Sequence, residues 1–184
     1  MFEGIHSVLP GHYLKIAFRP DGKPAEIVER RYWDLEFPDE GDEENPADIT
    51  PLVDEFERVF HNAVDLRLRA DVPVVSYLSG GVDSAYVLAT AAKIRGEAPP
   101  SFTIKVPSGK LDEASDALAT ADYLKSRATV VECDAKVISN AYHQLIAATD
   151  SPVIDTSCAA LLRLAGEVHD QGYKVALTGE GSDE

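Results

Sequence analysis

The chain has 184 residues, and its 17 basic and 32 acidic residues give a formal net charge of −15. This length allows one α/β domain with a sizeable core but not two full catalytic domains, and the acidic excess argues against broad electrostatic capture of nucleic acid or of an anionic membrane surface. No apolar run approaches the roughly 20 residues of a membrane span, and Cys133 and Cys158 form no Cys-x-x-Cys pair. We therefore expect a cytoplasmic protein with two buried thiols and no zinc or dithiol site.

The first fifty residues are predicted to form a small extended piece and a linker. Residues 1–32 contain short extended segments, in which residues 11–18 alternate as a strand does and residues 20–22 supply a Pro-Asp-Gly turn. Residues 33–49 contain eight acids and no base, so we expect a mobile acidic linker there. A second region begins at Thr50.

Thr50 and Pro51 fit the start of a helix, because a threonine side chain caps a first turn and proline is tolerated within one. Apolar residues then recur every three or four positions, which predicts an amphipathic helix to about Ala70, packed on the sheet that follows. The residues of this predicted apolar stripe are Leu52, Phe56, Val59, Phe60, Ala63 and Leu66.

From Val72 onward, strand-like and helix-like segments alternate. Strands are predicted at 72–78, 101–106, 128–132 and 173–178, and helices at 84–95, 112–126, 136–148 and 157–171. This alternation predicts an α/β fold with a doubly wound parallel sheet, right-handed crossovers and helices on both faces. The strand at 173–178 is expected to be buried and central. Ligands of such folds bind beyond the carboxyl ends of the strands, near the point where the connections change direction.

Directly after the first of these strands, residues 79–84 read Ser-Gly-Gly-Val-Asp-Ser and lead into a helix. This order favours a phosphate-binding loop, because glycines permit positive φ and close backbone approach, and a helix start offers unpaired N–H groups. Asp83 would repel phosphate unless a divalent cation lay between them, so the motif indicates a nucleotide with magnesium. The alternative is a tight turn that is rich in glycine and serine by chance.

A second acidic loop, Gly-Glu-Gly-Ser-Asp-Glu at residues 179–184, follows the last predicted strand. Glu180 and Asp183 bring carboxylates to the edge of the sheet where ligands gather. Asp83 and Asp183, at the ends of two adjacent strands, are therefore candidates to hold Mg²⁺ on the phosphates of ATP. The alternative for this segment is a surface turn.

The first loop lacks the spacing of a Walker A site. It resembles the pyrophosphate loop of the N-type ATP pyrophosphatases, which have the adenine nucleotide alpha hydrolase-like fold. Residues 78–84 and 178–184 together resemble the synthetase domain of the glutamine-dependent asparagine synthetases. Further segments that resemble this family are residues 67–73, 101–104 and 150–157, and residues 9–14 and 32–35 resemble its interdomain connection.

The resemblance implies an ATP-dependent carbon–nitrogen ligase of asparagine biosynthesis. Such an enzyme adenylates the side-chain carboxylate of aspartate, releases pyrophosphate and admits ammonia derived from glutamine. Glu180 would orient ammonia or take its proton, and Asp83 and Asp183 would carry magnesium. Backbone N–H groups from Gly80 to Ser84 and the hydroxyls of Ser79 and Ser84 would bind pyrophosphate. The implied nucleotide-binding residues are Leu78, Ser79, Gly80, Gly81, Val82, Asp83, Ser84, Ile104, Thr178 and Gly179, of which Leu78, Ile104, Thr178 and Gly179 would touch adenine or ribose.

The same resemblance implies a piece of a longer enzyme. Residues 1–32 would be the tail of an N-terminal glutaminase domain, residues 33–49 the linker, and residues 50–184 a C-terminally incomplete ATP-pyrophosphatase synthetase domain. Family members begin their mature chain with a cysteine nucleophile, whereas residue 2 here is Phe2. We therefore expect that the chain does not hydrolyse glutamine itself and is inactive alone.

The expected partners are ATP, aspartate and ammonia, with no nucleic acid and no membrane, and a homodimer is left open. One alternative is a β-lactam synthetase-like enzyme or another amidotransferase of the same superfamily. A second alternative is a catalytically incomplete ATP-binding module. Glu180 between two glycines favours ammonia chemistry, because ring-closing members are associated with a different residue at this position.

Overall fold

The computed structural model describes residues 3–42, 46–107, 112–149, 152–153 and 155–181. The chain separates into two compact units, Met1–Ile49 and Thr50–Glu184. Within the described residues, no helix combines the length and the apolar character needed to cross a lipid bilayer.

The first unit contains an antiparallel hairpin of β1 (His12–Phe18) and β2 (Pro24–Arg31), which confirms the predicted strand. Its register places His12 opposite Arg31, and Gly22 turns the chain between the strands with a φ of +77°. Most side chains of both strands are exposed. A two-stranded hairpin of this kind buries little apolar surface, as its small size predicts.

The second unit alternates helices and strands in the predicted order. Its elements are α1 (Thr50–Leu68), β3 (Val74–Tyr77), α2 (Val82–Arg95), β4 (Ser101–Lys105), α3 (Ala114–Leu124), β5 (Ala128–Glu132), α4 (Ala135–Ala148), α5 (Ser157–Asp170) and β6 (Val175–Leu177).

Strands β3 to β6 form a parallel four-stranded sheet in the order β5-β4-β3-β6. The chain moves outward from β3 to β4 and β5, and β6 then joins the other side of β3. The direction of the connections therefore reverses between β3 and β6, which confirms the doubly wound α/β fold. In such a sheet this reversal opens a crevice beyond the carboxyl ends of the two strands. The prediction of a central last strand is wrong, because β6 pairs with β3 alone within the described part of the chain.

Helices cover both faces of the sheet, as predicted. Neighbouring residues of β3 point in opposite directions, so Val74 packs against Val64 of α1 and Val87 of α2. Val75 packs on the other face, in a cluster with Leu164 of α5. Both β3 valines are at most 1% exposed, and burial of a valine side chain contributes about 1.5–3 kcal/mol.

Helix α1 buries a different face from the predicted stripe. Val64 and Leu68 are buried and Phe60 is half-buried, which gives a spacing of four residues. Leu66 falls outside this spacing and is 50% exposed. The buried residues all lie in the C-terminal half of the helix, because that half packs on the sheet. The stripe prediction is therefore wrong for Leu52, Phe56, Val59 and Leu66.

The two cysteines have different surroundings, so the prediction of two buried thiols is correct for Cys133 only. Cys133 directly follows β5 and belongs to the core with Val131, whereas Cys158 is exposed in the first turn of α5. Burial raises the pKa of the Cys133 thiol, the nearby Arg163 guanidinium lowers this pKa in part, and Asp134 raises it.

Candidate functional site

A cavity of about 440 Å³ opens at the carboxyl ends of β3 and β6. This volume falls in the range of small-molecule sites. The polar loops after the two strands form one wall, and mostly apolar residues of β4 and α5 form the other. The lining residues are Tyr77, Leu78, Ser79, Gly81, Asp83, Ser84, Phe102, Thr103, Ile104, Val106, Glu113, Leu161, Leu164, Thr178, Gly179 and Glu180.

Two serines hold the loop of residues 79–84 in shape. The Ser79 N–H donates to Oγ of Ser84 at 3.0 Å, and the two hydroxyl oxygens are 2.9 Å apart. The Gly81 N–H donates to Oγ of Ser79 at 3.2 Å. Ser84 is 6% exposed, so these bonds satisfy a buried hydroxyl group. The resemblance assigned both hydroxyls to pyrophosphate; in the structure they bond to each other, and the assigned role stays a prediction.

Helix α2 presents its first turn to the cavity. Ala85 donates its N–H to the carbonyl oxygen of Gly81 at 3.3 Å. The N–H groups of Val82, Asp83 and Ser84 precede this bond, so helix geometry gives them no acceptor within α2. Gly81 occupies the N-cap position and supplies no side-chain cap. These three N–H groups, with the positive end of the helix dipole, make the start of α2 attractive to an anion.

A glycine is required at position 80 because a larger residue would collide with Glu113, and not because the backbone there is unusual. A Cβ atom on Gly80 would lie 2.9 Å from Cβ of Glu113, which is closer than side chains approach. The Gly80 N–H donates to Oε2 of Glu113 at 3.1 Å. The positive φ that glycine permits is not used in this loop, because neither Gly80 nor Gly81 adopts it. Gly81 instead enters the helix from extended backbone, with φ −80° and ψ 157°.

Gly179 brings the loop after β6 against the start of α2. A Cβ atom at this position would lie 2.7 Å from the backbone nitrogen of Ser84 and 3.0 Å from the carbonyl carbon of Asp83. Both of these are backbone atoms, which cannot move aside as the end of a side chain does. The two predicted loops therefore meet at the cavity, and only glycine allows the approach.

Tyr77 is the last residue of β3, and Glu180 lies in the loop that follows β6. Burial raises the pKa of the Tyr77 phenol above its ordinary value, and the negative charge of Glu180 raises it further. The phenol is therefore neutral at physiological pH and able to donate a hydrogen bond. Tyr77 was not predicted from the sequence, although its position as the last residue of the strand before the loop could have indicated it.

Most of the predicted site residues line the cavity. These are Leu78, Ser79, Gly81, Asp83, Ser84, Ile104, Thr178, Gly179 and Glu180. Gly80 does not line it and contacts the start of α3. The Val82 side chain is 77% exposed and lines a surface groove between α2 and α3. Asp183 lies outside the described residues, so its role stays a prediction.

The mostly apolar wall of the cavity and the acid at the start of α3 were not predicted from the sequence. Leu161 and Leu164 are three residues apart in α5, a helical spacing that indicates a shared face. Glu113 lies at the predicted start of a helix, where an acid usually serves its own helix. The residues missed besides Tyr77 are Phe102, Thr103, Val106, Glu113, Leu161 and Leu164.

Asp83 fits a magnesium site that a nucleotide completes. Its side chain is half-buried and lines the cavity beside the anion-attracting start of α2. In the described ranges, no group of three or more His, Cys, Asp or Glu side chains is arranged to hold a metal ion. Mg²⁺ in nucleotide sites is bound by one or two carboxylates together with substrate phosphates. A single carboxylate near an anion-attracting helix start is consistent with that chemistry.

Most of the chain is similar in sequence to known proteins. Residues 55–184 match the family model described as asparagine synthase. Amidase chyE of Penicillium rubens is 35% identical over the whole chain, and amidase chry2 of Gibberella zeae is 36% identical over the whole chain. Asparagine synthetase [glutamine-hydrolyzing] 1 of Bacillus subtilis is 30% identical over 98% of the chain. The chain spans 28%, 28% and 27% of these three relatives, respectively.

Proposed function

Because the chain belongs to the asparagine synthase family, we propose that its cavity is the pyrophosphate-releasing part of an ATP-dependent ligase site. In the proposed reaction, a carboxylate oxygen of the aspartate side chain attacks the α-phosphorus of ATP and pyrophosphate leaves. Ammonia then attacks the acyl-adenylate, giving asparagine and AMP. The contact between Gly179 and Ser84 carries this proposal, because it joins the glycine-serine loop and the acidic loop at one cavity.

The start of α2 is the proposed binding place of the β- and γ-phosphates. The N–H groups of Val82, Asp83 and Ser84 would donate to phosphate oxygens and stabilise the negative charge that grows as pyrophosphate leaves. Asp83, joined by Asp183, would hold magnesium. Bound magnesium neutralises part of the phosphate charge, which removes the repulsion that Asp83 would otherwise exert.

The apolar wall is the proposed place of the adenosine. Ile104 of β4 and Leu161 of α5 are half-buried and would offer apolar surface to a purine ring, and the buried Phe102 packs behind them in the core. Leu78, Thr178 and Gly179, which follow β3 and β6, also line the cavity. An adenosine placed there would have its α-phosphate directed towards the two loops.

Glu180 is the proposed base of the second step. Its carboxylate would accept a proton from ammonia as the nitrogen attacks the acyl-adenylate. Tyr77, whose phenol stays neutral, is close enough to Glu180 for the two groups to influence each other electrostatically. We also propose that the ammonia derives from glutamine and that residues 1–32 end a glutaminase domain, in a protein located in the cytoplasm.

The amide bond on which the enzyme acts is the point on which a second candidate function differs. Two relatives with the name amidase are 35% and 36% identical to the chain, against 30% for the Bacillus subtilis asparagine synthetase. This difference favours an amidase that acts on an amide other than that of asparagine as the alternative. A β-lactam synthetase-like enzyme would share the adenylation step.

Carboxylate-dependent exchange of labelled pyrophosphate into ATP tests the proposal. The full-length protein that contains this chain is incubated with Mg-ATP, labelled pyrophosphate and either aspartate or a panel of other carboxylic acids, and exchange is measured in each case. We expect exchange that requires aspartate. Asp83→Asn is expected to lower this exchange at least about 100-fold by removing the metal ligand, while Asp122→Asn, an exposed change on α3, leaves it unchanged.

Three outcomes would contradict parts of this proposal in different ways. Exchange that requires another acid and not aspartate would reject the asparagine reaction and keep the adenylating site. Mg-ATP binding without exchange with any acid would identify an ATP-binding module. Full exchange by Asp83→Asn would reject the assigned role of Asp83.

A further inference from the structure

The start of α3 makes an unusual contact with the loop of residues 79–84. Glu113 occupies the N-cap position of α3, but its carboxylate makes no capping bond to its own helix. It accepts a hydrogen bond from the N–H of Gly80, 33 residues earlier, at 3.1 Å. Asp112 bonds to the helix start instead, accepting the Ala114 N–H at 3.2 Å. The Glu113 side chain is therefore committed to the loop and not to its own helix.

Packing holds this contact in place. Ala114 and Ala117, which follow Glu113, are 3% and 0% exposed. Ala117 belongs to a buried cluster with Leu78, the residue just before the loop. The backbone at Glu113 is thus anchored in the core, and the missing Cβ of Gly80 leaves room for the loop to rest against it.

This contact changes which N–H groups face a nucleotide. The Gly80 N–H donates to Oε2 of Glu113 at the start of α3, and Gly80 does not line the cavity. The Gly81 N–H donates to Oγ of Ser79. The donors left for phosphate are those of Val82, Asp83 and Ser84 at the start of α2. Their position depends on how the preceding turn is fixed.

We propose that Glu113 is a positioning residue of the nucleotide site: its carboxylate fixes Gly80 against α3 and thereby orients the start of α2 towards the phosphates. This inference rests on the proposed function. It also revises the sequence-based expectation that the Gly80 N–H binds pyrophosphate directly.

The test compares Glu113→Ala with Glu113→Gln in the same protein. Alanine removes the acceptor, whereas the glutamine amide oxygen keeps an acceptor and removes only the charge. Mg-ATP affinity is measured by calorimetry, and the amide exchange rate of Gly80 is measured by NMR without nucleotide. Asp116→Asn is the matched control, because it removes an equal charge close to Gly80 and Asp116 has no hydrogen bond to the loop in the described residues.

We expect Glu113→Ala to bind Mg-ATP about tenfold more weakly, the scale of a lost hydrogen bond to a charged group, and its Gly80 amide to exchange about tenfold faster. Glu113→Gln should stay within about threefold of the unmodified protein in both measurements, and Asp116→Asn should bind at least as tightly as that protein. Circular dichroism checks that each variant is folded. If Glu113→Ala is unfolded, the Mg-ATP affinity and the Gly80 exchange rate of Glu113→Gln test the inference.

Equal or tighter Mg-ATP binding by folded Glu113→Ala would overturn the inference, since Glu113 would then compete with phosphate. Weak binding by folded Glu113→Gln would also overturn it, because the charge and not the hydrogen bond would matter. If the unmodified protein does not bind Mg-ATP while Gly80 exchange depends on Glu113, the proposed function fails and the anchoring of the loop stands.

Discussion

The Cβ atom that Gly179 lacks would lie 2.7 Å from the backbone nitrogen of Ser84. This closeness joins the loop after β6 to the first turn of α2 without any side chain between them. The end of the sheet and the anion-attracting helix start are therefore held at a fixed separation. A methyl group at this point must push the two backbones apart.

Gly179→Ala is therefore expected to weaken Mg-ATP binding at least about tenfold and to lower the free energy of unfolding by about 1–3 kcal/mol through overpacking. Gly166→Ala is the matched control. A Cβ there would meet only the end of the Arg163 side chain at 3.9 Å, and alanine in a helix is favoured over glycine by about 1 kcal/mol. Urea unfolding and calorimetric titration measure both variants, and unchanged ATP binding by Gly179→Ala would contradict the expectation.

Ser84→Ala is expected to lower the free energy of unfolding by about 1–3 kcal/mol, because the Ser79 N–H loses its acceptor in a partly buried place. The loop should also become more mobile, which gives weaker Mg-ATP binding. Ser115→Ala, an exposed change in the first turn of α3, should leave both quantities nearly unchanged. Equal unfolding curves for the two variants would argue against the role of Ser84 in holding the loop.

The titration of Tyr77 reports the charge of Glu180. Burial is the larger cause of the raised Tyr77 pKa and Glu180 the smaller one, so Glu180→Gln should lower this pKa while leaving it above the ordinary value. The tyrosinate absorbance of Tyr77 is obtained by subtracting the titration of a Tyr77→Phe partner from that of each protein. Glu97→Gln is the control and should not change the curve.

The same shift has a consequence for stability at alkaline pH. Because the folded-state pKa of Tyr77 is raised, the folded protein keeps a proton that the unfolded chain loses. The contribution of Tyr77 is fully present below the unfolded-state pKa and is lost as the pH rises through the folded-state value. Tyr77→Phe should therefore reduce the alkaline loss of stability in urea unfolding, and an unchanged pH profile would contradict the assignment.

Thiol labelling should separate the two cysteines. Iodoacetamide is expected to modify one thiol of the native protein, that of exposed Cys158, and both thiols in denaturant. Cys133 is protected by burial, and its raised pKa keeps it protonated to higher pH. Cys158→Ser should abolish native labelling, as mass spectrometry will show. Rapid modification of both thiols in the native protein would mean that Cys133 is accessible.

The sequence predicts the fold of the second unit well because its signals are local. The apolar run before residue 79 and the helix-like stretch after it define a strand, a loop and a helix without knowledge of the rest of the chain. The burial of α1 was less predictable, since the periodic pattern allows more than one phase. Because of the way α1 packs on the sheet, Val64 and Leu68 are buried and Leu66 is exposed.

The site could be predicted only where a residue's function follows from its immediate neighbours. Asp83 and Glu180 fall in glycine-rich loops and were therefore identified, although their roles stay predictions. The bond between Glu113 and Gly80 joins residues far apart in the chain, and an acid at a helix start has an ordinary local explanation. The exposure of Cys158 likewise depends on which side of α5 packs on the sheet.

The pairing of β6 with β3 also bears on when the cavity forms. Val74 pairs with Val175, so this contact closes a loop of roughly a hundred residues, a separation that slows folding. During synthesis, the glycine-serine loop emerges from the ribosome long before its partner loop. A nascent chain that ends before β6 would therefore have the helix start without Gly179 against it, and under the proposed function it would bind nucleotide poorly. Mg-ATP in the cell would then selectively stabilise molecules in which this last strand has docked.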